Sequence, residues 1–246
     1  MSLLPPPNLR KCGVFFRRDD YWVGSAMVEA ERLRDYHGLG VTSTILDVGC
    51  GVGRLLTGLV ETKLLFLRYV GVDVDAAAID WCSANLAGKH AKFVRLDIHN
   101  ARYNPSGKIK MNETFMLPFE TPFSIIYAWS LFTHLQLSDA RAYLREFRRL
   151  LAPKGTVFLT AFCEPDVPDE QENPPHYPPR CGLSNQGRLH RLRYSQRAFG
   201  KAIQDAGLEV VRFGHKTEWN HQSAFVLQAI VAVKPKRGCC GGGARQ

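Results

Sequence analysis

The stretch Ile45-Leu46-Asp47-Val48-Gly49-Cys50-Gly51-Val52-Gly53-Arg54 has the residue types and spacing to hold a nucleotide-like ligand. Gly49 and Gly51 accept backbone angles closed to other residues and let a ligand touch the main chain. A helix opening near Gly53 presents free N–H groups to it. Glycine turns serve many nucleotides, so the neighbouring residues decide among them. A dinucleotide fingerprint needs a small third residue where Arg54 stands, and no G-K-[ST] marks a phosphate loop. Asp73 follows Gly51 by 22 residues, where a partner for ribose hydroxyls is expected. Asp97 ends the next apolar run, and a carboxylate there suits the amino group of an adenine.

The elements that position these residues alternate. Strand-like runs cover 42–48, 65–73, 92–97, 124–129 and 155–162, with helical periodicity between them. The third helix, Ala140 to Leu151, sets Ala140, Tyr143, Leu144, Phe147, Leu150 and Leu151 on one face. Ser138 and Asp139 stand at its N-cap, and Pro153-Lys154-Gly155 stops it. Ser195 to Ala206 reads as a further helix closed by Gly207, followed by strands at 208–214 and 224–233. Such alternation means βαβ units and a doubly wound, mostly parallel α/β sheet. The division expected is an N-terminal segment and helix over the ligand site (1–40), a main domain (41–233) and a basic tail (234–246). Two insertions, 98–122 and 163–194, are too long for bare connections and read as lids.

Taken in order, DVGCGVG (47–53), YVGVD (69–73), FVRLD (93–97), SLFTHL (130–135) and LLAPKGTVFLT (150–160) resemble class I S-adenosylmethionine-dependent methyltransferases over residues 43–162 and more loosely to 233. Tyr103-Asn104-Pro105-Ser106-Gly107 and Leu117-Pro118-Phe119 bring the chain nearest to bacterial small-molecule and glycan methyltransferases. The resemblance implies a Rossmann-like sheet of seven strands in the order 3-2-1-4-5-7-6, with S-adenosylmethionine as cofactor. It places Asp47, Gly49, Gly51 and Gly53 on the methionine and ribose side and Asp73 with Val74 at the ribose. Asp97 and Ile98 frame the adenine, and Trp129 and Ser130 lie beside the sulfonium. The likeness departs after strand five, where an acidic run (Glu164 to Glu172) precedes a basic one, so the acceptor is not carried over.

Methyl transfer needs an acceptor lone pair in line with the S–CH3 bond, and most of the catalysis comes from that placement. A hydroxyl acceptor gains from a general base, and His134, following strand four at the carboxyl edge of the sheet, is the first candidate. Its alternative is a packing role at a helix start. As a base it would lose activity below a pKa near 6–7. His99 and His176 are weaker candidates. Asn173-Pro174-Pro175-His176-Tyr177 mimics an amine-holding turn but lies over 40 residues past strand four, so it reads as a stiff loop. No metal is expected, since no acid follows strand four to join Asp97 and no H-x-x-x-H pair occurs.

Composition bounds the rest. The 246 residues carry a net charge of +9, concentrated in 176–201 and 234–246, which leaves the remainder near neutral. The Arg188-Leu189-His190-Arg191-Leu192-Arg193-Tyr194 segment reads as a solvated strand edge or an anchor for an acidic acceptor such as a uronic or phosphorylated glycan, with nucleic acid third, for it offers one aromatic among its arginines. Seven cysteines without C-x-x-C spacing point to a reducing, cytoplasmic setting. No apolar run is long enough to span a membrane. The expected function is methyl transfer to a small-molecule or sugar acceptor at a hydroxyl. The alternatives are an RNA- or protein-directed methyltransferase gripping its polymer with the basic segments, and a non-catalytic cofactor-binding module.

Overall fold

The computed structural model describes residues 4–175, 187–218 and 220–231. Strands β1 (Thr44–Val48), β2 (Arg68–Asp73), β3 (Ala91–Arg95), β4 (Phe123–Ala128) and β5 (Leu151–Glu164) are parallel, in the order β3-β2-β1-β4-β5. Two short strands, β6 (Glu170–Glu172) and β7 (Leu192–Ser195), come next in the chain. The last two, β8 (Leu208–Gly214) and β9 (Ser223–Ala229), complete the main sheet. β9 runs antiparallel to β5, and β8 antiparallel to β9. Counted along the chain without β6 and β7, the main sheet has the expected 3-2-1-4-5-7-6 order.

The two extra strands depart from the seven expected. β5 is longer than the apolar run that announced it, and its last residues, Phe162 to Glu164, pair with β7, which pairs antiparallel with β6. The ends of the 163–194 insertion therefore extend the sheet beyond its carboxyl edge.

The central strands are buried on both faces, and successive residues divide between two cores. Leu46, Val70, Ile126 and Val157 face α4 (Leu137–Leu150) and α5 (Gln196–Asp205). Ile45, Tyr69 and Phe158 face the side carrying α1 (Asp19–His37), α2 (Arg54–Glu61) and α3 (Ala76–Asn85). Each fully buried Leu, Ile or Phe contributes about 1.5–3 kcal/mol to holding these layers together. α1 starts with Asp19 and Asp20 at the positive end of its dipole and closes at Gly38, whose φ is +64°. It lies so close to α2 that a Cβ on Gly58 would stand 1.9 Å from the Ala26 carbonyl oxygen. No described helix is long and apolar enough to cross a membrane.

Two expected boundaries are corrected. Helix α4 begins at Leu137 with Gln136 as its N-cap and no capping side chain from Ser138 or Asp139. The Glu170 carboxylate instead accepts from the Leu137 N–H, a partner 33 residues away that local pattern does not reveal. Pro153-Lys154-Gly155 lies inside β5, where the ladder to β4 shifts register and Lys154 takes φ +62°, so it makes an irregularity in the strand. α5 starts one residue after the expected Ser195, which serves as its N-cap, its hydroxyl accepting from the Ala198 N–H at 3.0 Å, and the expected Gly207 follows with φ +77°.

Candidate functional site

The glycine loop leaves β1 with Gly49, Gly51 and Gly53 all at positive φ, +78°, +52° and +74°. Its amides are tied to β2: Gly49 and Cys50 N–H donate to the Val72 carbonyl at 2.8 and 3.1 Å. The Gly51 N–H donates to Asp73 Oδ2 at 2.8 Å, and the Asp75 N–H to Asp73 Oδ1 at 2.9 Å. Asp73 is thereby held rigidly at the strand end, with lone pairs left for a diol. Burial pushes its carboxyl up, and those backbone donors hold it down.

Above the loop, one cavity brings together Asp47, Gly49, Gly51, Asp73, Val74 and Ile98 with Trp129, Ser130 and His134. Asp47 is buried and accepts from the Tyr69 hydroxyl at 2.5 Å; burial raises its carboxyl to about 7, against the pull of Tyr69 and Arg54. Ser130 adopts φ +58°, strained for a residue with a Cβ, and three contacts hold it there. Its N–H donates to Thr160 Oγ1 at 2.7 Å, its hydroxyl lies 3.2 Å from Thr133 Oγ1, and Gln222 Nε2 donates to that hydroxyl at 2.8 Å.

Gly53 and Asp97 do not line this cavity. A Cβ on Gly53 would stand 2.6 Å from Leu86 Cδ1, so that glycine permits close packing against the end of α3. β3 stops at Arg95 rather than at Asp97. The Asp97 carbonyl accepts from Ile109 N–H at 2.9 Å, and its carboxylate contacts Asn104 Nδ2 at 3.4 Å, away from the neighbouring cavity residues Leu96 and Ile98. Asp97 thus organises the 98–109 insertion. Gly107 folds back so tightly that a Cβ would meet the Ile98 carbonyl oxygen at 2.4 Å, which is what the Tyr103 to Gly107 segment is for.

That turn sets the Tyr103 hydroxyl 3.3 Å from His134 Nε2. His134 Nδ1 lies 3.0 Å from the Leu189 carbonyl oxygen, an acceptor only, so Nδ1 carries the proton and Nε2 has the lone pair. Burial lowers the imidazole pKa to about 4, which corrects the expected value of 6–7. His99 is an exposed residue of the cavity wall. His176 lies outside the described residues. Asn173 grips the ends of the lid, donating to the Gly187 carbonyl at 2.9 Å and accepting from Arg191 N–H at 3.0 Å, and it does not line the cavity.

The sequence places a cover over the site at 1–40 but singles out none of its residues. Lys11, Cys12 and Trp22 line the cavity from the N-terminal segment, and Lys11 forms an ion pair with Asp75, the N-cap of α3. The segment is anchored by Arg10, which is buried and bonds to the Pro5, Phe16 and Arg17 carbonyls and to Asp19. A lone arginine before a mixed sequence carries no signal of this. Arg54 was visible only as the residue that spoils a dinucleotide fingerprint. It lies buried with its guanidinium 4.2 Å from the Trp129 ring centroid, donating to the Ser25 carbonyl at 3.2 Å.

The indole N–H groups of Trp22 and Trp129 are both buried without a partner. Together with the carboxyls of buried Asp47 and half-buried Asp73, both raised by desolvation, and an open positive-φ glycine at Gly51, they fit a ligand bearing an ammonium, a ribose and an aromatic base. S-adenosylmethionine has these groups.

Comparison with known proteins agrees. A family model described as a methyltransferase domain matches residues 27–212. A SAM-dependent methyltransferase of the DUF858 family from Leishmania major superposes with a TM-score of 0.58 at 21% identity, over 84% of this chain and 73% of that one. The glycopeptide N-methyltransferase MtfA in complex with S-adenosylmethionine gives 0.56 at 13%, over 82% and 93%. An O-methyltransferase family protein from Burkholderia thailandensis gives 0.56 at 14%, over 88% of this chain and 59% of its own. At these identities the structural likeness is one of fold, and the family match adds the activity. The chain belongs to the methyltransferase domain family and is an S-adenosylmethionine-dependent methyltransferase.

Proposed function

We propose that the chain transfers the methyl group to a hydroxyl of a small-molecule or sugar acceptor, with His134 as general base. Asp47, Gly49, Gly51, Asp73, Val74, Ile98, Trp129 and Ser130 hold the donor in this proposal, and Gly53 and Asp97 support the loops that carry them. When bound, S-adenosylmethionine supplies an electrophilic methyl on a sulfonium. Asp47 becomes the counter-ion of its ammonium, which draws the carboxyl into its ionised form.

The observation that carries the base assignment is the fixed tautomer of His134, whose Nε2 lone pair faces the Tyr103 hydroxyl at 3.3 Å. An acceptor hydroxyl reaches Nε2 by displacing that long contact and gives up its proton there as its oxygen takes the methyl. With a pKa of about 4 the imidazole is neutral at any working pH but weakly basic, so placement of the acceptor supplies most of the rate. A polymer-gripping role gains little support from this region, since Arg188 and Arg193 of the lid pair with Glu172 and Gln171, and Arg197 of α5 pairs with Asp169. Cytoplasmic residence belongs to the same proposal, with Cys12, Cys50, Cys82 and Cys163 present as free thiols.

The test is incubation with methyl-labelled donor and fractionated extract, followed by identification of the labelled product. An O-methylated small molecule or glycoside is the expected product. Label found in RNA or protein, or on nitrogen, would overturn the acceptor assignment.

A further inference from the structure

The donor brings a purine with it, and the carboxylate that the sequence offers for that purine is engaged elsewhere. Asp97 contacts Asn104 at 3.4 Å and Arg95 at 4.0 Å, on the side of the 98–109 insertion. Around the purine the cavity wall carries Val74, Leu96, Ile98 and Leu131, whose side chains give apolar faces and nothing for a hydrogen-bonding edge.

Helix α4 supplies polar groups at this wall. Asp139 and Tyr143 stand one turn apart on it, so they share a face, and both line the cavity. Tyr143 packs in one core cluster with Leu96 and Ile98 and is 3% exposed. A phenol buried to that degree normally finds a partner, yet its hydroxyl has none among the described residues. Burial, and after it the charges of Asp73 and Asp139, push the phenol pKa up, so it keeps its proton and lies near both carboxylates. Asp139 is half-buried, and it forms no ion pair among the described residues; its contact is the Ser138 hydroxyl at 3.5 Å. Other polar side chains of this wall are committed. Asn100 donates to the His134 carbonyl and accepts from the Arg102 and Tyr103 N–H groups, while Tyr103 and His134 face each other. His99 is exposed. The wall thus presents one free donor, the Tyr143 hydroxyl, and one free acceptor, the Asp139 carboxylate.

We propose that Asp139 and Tyr143 select the donor by its purine, Tyr143 donating to N1 and Asp139 accepting from the exocyclic amine. Adenine presents that pair of groups side by side, and hypoxanthine reverses them, with a carbonyl for the amine and an N–H at N1. The inference rests on the donor placement proposed above and moves the reading of the amine from Asp97 to α4.

Calorimetry on the full chain tests it with two ligands, S-adenosylhomocysteine and its deaminated analogue S-inosylhomocysteine. The wild type is expected to prefer the adenosyl compound by about 100-fold or more, because the inosyl carbonyl meets a carboxylate. Asp139→Asn keeps the shape and can turn an amide N–H to that carbonyl, so the preference should shrink by about tenfold or more. Tyr143→Phe should weaken the adenosyl compound by about three- to tenfold. Its melting temperature should not fall, since the lost hydroxyl had no protein partner. An unchanged preference in Asp139→Asn, an unchanged affinity in Tyr143→Phe, or a preference lost instead in Asp97→Asn would overturn the assignment and leave the donor site standing. Failure of S-adenosylhomocysteine to bind the wild type would overturn this inference and the donor placement together.

Discussion

The two sides of the donor cavity are built by different means. On the glycine-loop side, main-chain amides of residues 49–51 bond to the end of β2, and the carboxylate of Asp73 is fixed by two backbone N–H groups. On the lid side, side chains do the joining: His134 meets Tyr103, 31 residues before it, and Leu189, 55 residues after it. The first side is preorganised by the sheet itself. The second depends on a few long-range contacts between insertions, each worth about 0.5–1.5 kcal/mol net, and opens at correspondingly low free energy.

The strongest challenge to this contrast is His134→Ala. If His134 is the base, kcat falls by about 10²–10⁴ while donor affinity changes little. If it only clasps the lid, activity per folded molecule survives and the loss is one of stability. Single-turnover kinetics beside a thermal melt of the same variant distinguishes these outcomes. Asp73→Ala attacks the preorganised side, and calorimetry should show donor binding weakened by about 1.5–3 kcal/mol in a folded protein. Unchanged affinity there would remove the ribose assignment.

Smaller effects sharpen the contrast. Asp97→Ala should change donor affinity by no more than about 0.5 kcal/mol, because its carboxylate faces the insertion rather than the cavity. A loss matching that of Asp73→Ala would show that Asp97 turns inward on binding. The pH dependence is expected to be slight for the rate and directional for stability. Since His134 titrates near 4, single-turnover rates should stay level from about pH 7.5 down to 5.5 rather than fall at 6–7. Its lowered pKa means that the unfolded chain binds the extra proton first, so the His134 contribution to stability is lost as pH falls from about 6.5 to 4. The raised pKa of Asp47 acts in the opposite sense, with stability lost as pH rises from about 4 to 7 in the absence of a ligand cation. Melts of His134→Gln and Asp47→Asn across pH 4–8 resolve the two slopes.

Legibility in the sequence follows the same division. Gly49, Gly51 and Asp73 were readable because strand period and backbone conformation are local properties, and the alternation of β1 to β5 with α2 to α4 follows from them. The order of the strands came with the family resemblance. Asp97 was read as ending a strand that stops two residues before it, because an acid just past a strand looks the same in sequence as one at its end. Glu170 at the start of α4, Gln222 behind Ser130 and Arg10 beneath the N-terminal segment were not readable. Each acts on a partner brought near by the fold, or through burial that no periodicity announces.

Lys11 and Asp75 close the cavity with an ion pair whose lysine is half exposed, while Arg10, one residue earlier, is fully committed inside. An exposed pair of this kind contributes about 0–1 kcal/mol and weakens with salt, whereas extracting Arg10 would strand a buried cation. Traffic through this mouth therefore needs only the strand of chain beyond Arg10 to swing, with its root fixed. Release of S-adenosylhomocysteine is therefore expected to quicken as ionic strength rises, which stopped-flow measurement at two salt concentrations checks.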